Sequence, residues 1–163
     1  MPRLFPPNKN SYMLSYGRRF LFVSKKQNIN CDLKVVPMTG WTRDMYYDDT
    51  KLQTWVMPSP NMPTLDTAIV YAGICIFEGT NVLEGRGQNC GGIQLYVTDR
   101  RDFNSIKTGL AILYTIRDMY TNYFKYRNDN YEDFLTGDSY VREGKYTLEQ
   151  LFQRVDTESA KFK

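Results

Sequence analysis

The strongest fold signal in this 163-residue sequence is a long apolar stripe with the spacing of an α-helix. Asn104 can cap that helix, which is predicted over about 104–124. A last helix is predicted over about 147–162, because Thr147 and Gln150 have the spacing of a capping box. Each helix has one apolar face, so both must cover other structure. The two stripes comprise Ile106, Leu110, Leu113, Ile116, Tyr120, Tyr123 and Phe124, and then Leu148, Leu151, Phe152, Val155 and Phe162.

Three short apolar segments predict the strands of a small sheet. The segment 31–37 is rich in β-branched residues, 74–78 is a brief apolar run, and Gly91–Thr98 alternates apolar and polar residues. Between the first two, Thr64 can cap a short helix that Gly73 is expected to stop. The predicted fold class is therefore α+β, a small sheet packed by the two longer helices.

The absence of histidine restricts the chemistry of the chain most. It excludes a Ser-His-Asp triad, a Cys-His dyad and His-based metal sites within this chain. The three cysteines, Cys31, Cys75 and Cys90, have no CxxC spacing, and their odd number favours buried thiols over a disulfide framework. We therefore expect no metal and no cofactor, with acid–base chemistry left to carboxylates, Tyr, Lys or Cys.

Charge and hydropathy limit the expected partners. The 21 Lys and Arg against 18 Asp and Glu give a net charge of only +3, so we do not expect nucleic acid as a partner. We expect no membrane span, because no apolar run reaches about 18 residues. The run Phe20–Val23 is also shorter than the core of a signal peptide, so no export signal is expected in this chain.

The segment 55–87 concentrates polar side chains between prolines and glycines, where the backbone is stiff. Glu78 and Glu84 follow an apolar run and lie in glycine-flanked turns. Two carboxylates at one cleft are what glycosidic cleavage requires, one to protonate the leaving oxygen and one to act as nucleophile or to activate water. The alternative is that both are ordinary solvent-exposed turn carboxylates.

Two further features of the sequence are compatible with a ligand site. Arg86 lies between two glycines and could approach an anionic ligand closely. A group of aromatic residues that precedes residue 56 could stack on a sugar ring, or its members could equally pack in the core and at its rim. That group comprises Trp41, Tyr46, Tyr47 and Trp55.

Three strings, CDLKVVPMTGW (31–41), the whole of 55–87 including EGTNVLEGRG, and CGGIQLYVTDRRDFNSIKTGLAIL (90–113), together resemble the NamZ/YbbC family. This is glycoside hydrolase family 171, the exo-β-N-acetylmuramidases. The resemblance implies release of terminal N-acetylmuramic acid from peptidoglycan fragments, in a cleft between a Rossmann-like domain and a smaller C-terminal domain. It implies Glu78 and Glu84 as catalytic candidates, and Asn61, Asn81 and Arg86 as substrate-binding candidates.

The resemblance also implies a domain division. Residues 1–30 would be an irregular arm, 31–87 a remnant of the Rossmann-like domain with cleft loops, and 88–163 the C-terminal α+β domain. The family would carry a long Rossmann-like region before Cys31 and a further long stretch between Gly87 and Cys90, neither of which is present. We expect such shortening to expose apolar surface and favour association.

Three functions follow from this combination. The first is a shortened muramidase acting on muropeptide or other peptidoglycan-derived saccharides. The second is a non-catalytic cell-wall saccharide-binding or vestigial module. The third is a subunit that completes a separate catalytic lobe. The sequence leaves the cellular location open.

Overall fold

The computed structural model describes residues 34, 39–40, 42, 45–52, 54–85 and 92–161. The chain divides into two compact units, whose main segments are Lys9–Trp55 and Val56–Lys163. In the first unit, the described residues include one turn of 3-10 helix, Asp48–Thr50. In the second unit, they form a 3-10 helix, Cys75–Gly79, and four α-helices. These are α1 (Leu65–Ile74), α2 (Ser105–Met119), α3 (Tyr131–Thr136) and α4 (Leu148–Lys161).

The predicted helix starts are confirmed by their caps. The side chains of Thr64 and Asn104 each accept a hydrogen bond from the backbone N–H three residues later, at 3.2 and 3.0 Å. Thr147 and Gln150 form the expected reciprocal capping box, at 2.9 and 3.3 Å. Each cap satisfies donors that the first helical turn leaves unpaired. Short polar motifs therefore predicted where α1, α2 and α4 begin.

The second helix ends earlier than its apolar stripe predicts. Tyr120 has φ −122° and ψ 44°, so the chain leaves the helix there. The carbonyl of Tyr120 then accepts hydrogen bonds from the N–H groups of Tyr123 and Phe124 in a tight turn. Tyr120 and Tyr123 are consequently exposed, whereas Phe124 packs against the core. The predicted apolar face of this helix is therefore confirmed from Ile106 to Ile116. The prediction is wrong for Tyr120 and Tyr123, which do not lie on a buried helix face.

Helices α1 and α2 cross in close backbone contact. A Cβ atom on Gly73 would lie 1.6 Å from the carbonyl oxygen of Ser105, and one on Gly109 would lie 2.2 Å from the carbonyl oxygen of Gly73. No side chain fits at either place. Gly73 is therefore a crossing point rather than the predicted helix stop, and α1 continues to Ile74.

The core of the second unit lies where α2, α4 and the 3-10 helix meet. Leu113 and Leu151, from α2 and α4, are 0% and 1% exposed. The apolar faces predicted for these two helices therefore do meet a common core. Its buried members are Ile76, Phe77, Leu110, Leu113, Tyr114, Val141 and Leu151.

The predicted α+β fold with a small sheet is wrong for the residues described. Their only β contact is an isolated antiparallel bridge between Thr80 and Tyr126. The run 74–78 is the last residue of α1 and most of the 3-10 helix, because a brief apolar run fits a buried helix as well as a strand. Residues 92–98 have no strand partner among the residues described, and the segment 31–37 lies outside the described residues except for Lys34. The described chain is mostly helical.

The helices of the described chain are all too short or too polar to cross a lipid bilayer.

Candidate functional site

The candidate site is built around a short segment, 79–81, which follows the 3-10 helix. The bridge between Thr80 and Tyr126 joins it to 125–127. Backbone hydrogen bonds of 2.9 and 3.0 Å flank the bridge on either side. The chain leaving the 3-10 helix is therefore fixed to the loop between α2 and α3, although no sheet forms.

Glu78 is the best-positioned candidate carboxylate. It is half-buried at the end of the 3-10 helix, and the hydroxyl of Tyr71 on α1 donates a hydrogen bond of 2.5 Å to its Oε1 atom. The pKa of Arg127 is raised mainly by its hydrogen bond with Asp129, and the negative charge of Glu78 adds to that shift. Glu78 therefore has a fixed neutral donor and a cationic neighbour.

Asn81 organises the same segment. Its Nδ2 donates to the carbonyl of Tyr123 at 2.8 Å, and its Oδ1 accepts from the N–H of Lys125 at 2.8 Å. The amide thus bonds to backbone at both ends, which replaces ladder hydrogen bonds that a longer strand would have made. The structure brings Glu78 and Asn81 together on one anchored stretch. A role of Asn81 in substrate binding stays a prediction.

The other sequence candidates lie on separate loops. Glu84 is half-buried in the irregular segment before Gly85, which has φ +87°. Asn61 is exposed in the loop before α1, and its N–H donates to the Oγ of Ser59 at 3.3 Å. Arg86 lies outside the described residues. Roles for these three also stay predictions.

The predicted aromatic platform falls in the first unit. Tyr47 and Trp55 make an edge-to-face contact with ring centroids 5.0 Å apart. Tyr46 is buried, and Trp41 lies outside the described residues. The contacts of these side chains are those of packed aromatic residues.

A buried carboxyl group that the sequence did not predict lies directly behind the segment 79–81. Glu132, on α3, is 0% exposed, and neither of its carboxyl oxygens has a hydrogen-bond partner in the described chain. A Cβ atom on Gly79 would lie 2.4 Å from its Oε2 atom. Burial, helped by the charge of Asp133, raises the pKa of Glu132 to about 8. The group is therefore mostly protonated at neutral pH.

Tyr126 shares this buried environment. Burial raises the pKa of its phenol, and the charge of Glu132 raises it further. Its hydroxyl donates to the carbonyl of Val141 at 3.4 Å. Two titratable groups, Glu132 behind the bridge and Tyr126 within it, thus favour their neutral forms.

Within the described chain, no group of three or more His, Cys, Asp or Glu residues is arranged to hold a metal ion. The chemistry open to these residues is that of carboxylates, phenols and guanidinium groups.

Comparison with known proteins agrees with the resemblance. Residues 7–66 match the N-terminal domain of the exo-β-N-acetylmuramidase NamZ, and residues 87–163 match its C-terminal domain. The chain is also 32% identical over 175 residues to the peptidoglycan β-N-acetylmuramidase NamZ of Bacillus subtilis (strain 168). No solved structure matches it.

The chain spans less than half of that relative: the alignment covers 79% of this chain and 42% of the relative. The covered part of the chain is about 129 residues, so at least about 46 of the 175 aligned positions have no residue here. The expected internal shortening is consistent with this difference. Both domains are matched in the family's order, and the chain belongs to the NamZ family of exo-β-N-acetylmuramidases.

Proposed function

We propose that this chain takes part in exo-β-N-acetylmuramidase activity. In this proposal it recognises the terminal N-acetylmuramic acid of peptidoglycan fragments and presents Glu78 and Glu84 to the glycosidic bond. The observation that supports it best is the setting of Glu78, half-buried and held by Tyr71 in a chain that belongs to this family.

The fixed setting of Glu78 suits a reacting carboxylate. Groups that act on a substrate must be held within fractions of an ångström of a productive geometry. The donor Tyr71 lies on α1, and α1 runs directly into the 3-10 helix that ends beside Glu78. The two side chains therefore keep their relative position as long as this helical unit is folded.

The proposed chemistry uses two carboxylates. One protonates the leaving glycosidic oxygen, while the other attacks the anomeric carbon or activates the water that does so. A developing positive charge on the sugar ring is stabilised by a nearby carboxylate. The pKa of Arg127 is raised mainly by its hydrogen bond with Asp129, and the charge of Glu78 makes a smaller contribution. In this proposal Arg127 is the cation that pairs with a carboxylate group of the substrate.

The test is turnover of a chromogenic β-linked N-acetylmuramide by the full chain. We expect Glu78→Gln and Glu84→Gln each to lower the rate by roughly 100-fold or more. Glu149→Gln is the matched control, because Glu149 is exposed in the first turn of α4, and it should leave the rate unchanged. Folded Glu78→Gln and Glu84→Gln variants with full turnover would contradict the assignment.

A second function, saccharide binding without cleavage, is favoured by the coverage of the relative. The aligned NamZ protein has at least about 46 positions that this chain lacks within the matched region. If those positions include reacting groups, the chain would retain recognition alone. Calorimetry with a muropeptide-derived disaccharide separates the two functions: heat of binding with no turnover supports the second, and neither heat nor turnover contradicts both.

A further inference from the structure

The segment Gly92–Thr98 is an uncovered stretch of backbone. In the described part of the chain, none of its N–H or C=O groups makes a hydrogen bond. The segment 79–81 differs sharply, because its backbone pairs with 125–127 and the amide of Asn81 adds two more bonds. Free backbone groups along such a stretch can pair with another strand.

The side chains of this segment follow the pattern of a strand. Exposure alternates from Gln94 to Val97, with Leu95 and Val97 half-buried and Tyr96 76% exposed. Ile93 is 73% exposed, although the alternation places it on the same side as Leu95. One large apolar side chain of a strand-like segment therefore lies uncovered.

The segment also lacks the features that keep a strand edge from pairing. Natural edge strands carry Lys, Pro or a bulge that prevents association. Residues 92–98, GIQLYVT, contain no charged residue and no proline. Nothing in the segment opposes the approach of a second, similar strand.

We propose that Gly92–Thr98 pairs antiparallel with the same segment of a second copy of this chain. Pairing centred on Leu95 places Leu95 opposite its own counterpart and Ile93 opposite Val97. Ile93, Leu95 and Val97 then each meet an apolar residue, while Tyr96 lies opposite Gln94 on the other face. The alternation fixes this register, since a shift by one residue would exchange the two faces.

A second copy suits this segment better than an unrelated strand. The antiparallel arrangement is two-fold symmetric and closes after two subunits. The apolar pattern has a β-branched residue at each end, Ile93 and Val97, and Leu95 in the middle, so the order of branching is the same in both directions and the segment can pair with itself. It offers no charge with which to select a different partner.

The first test measures the oligomeric state of the full chain by sedimentation equilibrium over a range of concentrations. We expect a dimer whose dissociation constant rises about tenfold in Ile93→Lys, because the change removes two symmetric apolar pairs. The exposed position of Ile93 allows the substitution without disturbing the core. Phe134→Lys is the matched control, since Phe134 is 68% exposed on α3, outside the segment, and it should leave the constant unchanged.

The second test follows amide hydrogen exchange in the unsubstituted protein. We expect the amides within 93–97 to exchange slowly at concentrations where the dimer forms, and quickly after dilution to the monomer. A monomeric chain at all concentrations would overturn the proposal. So would a dimer in which these amides exchange freely, or one that Phe134→Lys weakens as much as Ile93→Lys.

Discussion

Two glutamates on either side of Gly79 have opposite environments. Glu78 precedes the glycine in the chain, is half-buried, and accepts a hydrogen bond from Tyr71. Glu132 packs against the same glycine from α3, is completely buried, and has no hydrogen-bond partner in the described chain. The same side chain thus occurs in a supported setting and in an unsupported one.

The difference shows what burial alone does to a carboxylic acid. An isolated ionised carboxylate is costly in a low-dielectric interior, so Glu132 keeps its proton to a pKa of about 8. A donor such as the Tyr71 hydroxyl stabilises a carboxylate instead. We therefore assign a candidate chemical role to Glu78, whereas Glu132 affects the stability of the fold.

The largest expected effect concerns Glu132 and pH. Its folded-state pKa of about 8 lies above the ordinary value of 4.5. The contribution of Glu132 to the unfolding free energy is therefore fully present below about pH 4.5. It falls as the pH rises, because the carboxyl ionises in the unfolded chain before it ionises in the folded chain, and it levels off above about pH 8. Relative to Glu132→Gln, the unsubstituted protein should lose roughly 3–5 kcal/mol of unfolding free energy across this window.

The measurement is denaturant unfolding of both proteins at several pH values between 5 and 9. Glu132→Leu is the control, because it also cannot ionise, so both variants should show the same pH slope relative to the unsubstituted chain. A difference that does not change with pH would show that the buried carboxyl has an ordinary pKa.

The next effect concerns Gly79 itself, which separates the two glutamates. A Cβ atom here would lie 2.7 and 2.8 Å from the Cα and N atoms of Glu132, which are backbone and cannot turn aside. Gly79→Ala should therefore destabilise the fold by about 3 kcal/mol in denaturant unfolding. Gly92→Ala, measured at a concentration at which the chain is monomeric, is the control, since nothing lies within 4 Å of its added carbon. Equal stability of the two variants would contradict the close packing of α3 on Gly79.

The smallest effect concerns the support of Glu78. Tyr71→Phe removes one hydroxyl and should lower the unfolding free energy by about 1 kcal/mol, the usual contribution of a partly exposed hydrogen bond. Tyr120→Phe is the matched control, because Tyr120 is 52% exposed and its hydroxyl has no partner in the described chain. Identical unfolding curves for both variants would mean that the Tyr71 hydroxyl does not stabilise the fold.

The sequence correctly predicted the features that short polar capping motifs determine, and those that a long run of apolar residues with helical spacing determines. Thr64, Asn104 and the Thr147–Gln150 pair each define a helix start locally, through contacts within four residues. The family was also identified from contiguous strings, and the domain matches confirm it. Such features need no knowledge of distant packing.

The features that were missed depend on contacts between distant segments. Whether 74–78 becomes a strand or a 3-10 helix depends on the crossing of α1 and α2 at Gly73 and Gly109, which the sequence does not display. The burial of Glu132 follows from the packing of α3 on Gly79, while Phe134 on the same helix is exposed. The usual burial preferences of single residue types predict the opposite, an exposed Glu132 and a buried Phe134.

The roles of the candidate site residues stay predictions, and only part of their placement was predicted. The EGTN string indicated Glu78 and Asn81 as candidates, and the structure holds them on one anchored segment. The donor Tyr71 was not predicted, because it lies seven residues earlier, on a helix whose continuation into the 3-10 helix was mistaken for a strand.

The most direct test of the contrast between the two glutamates compares the release of N-acetylmuramic acid by Glu78→Gln and Glu132→Gln at equal folded fractions. The account predicts that Glu78→Gln lowers release by roughly 100-fold or more and that Glu132→Gln retains it. Retained release in Glu78→Gln, with loss in folded Glu132→Gln, would contradict it.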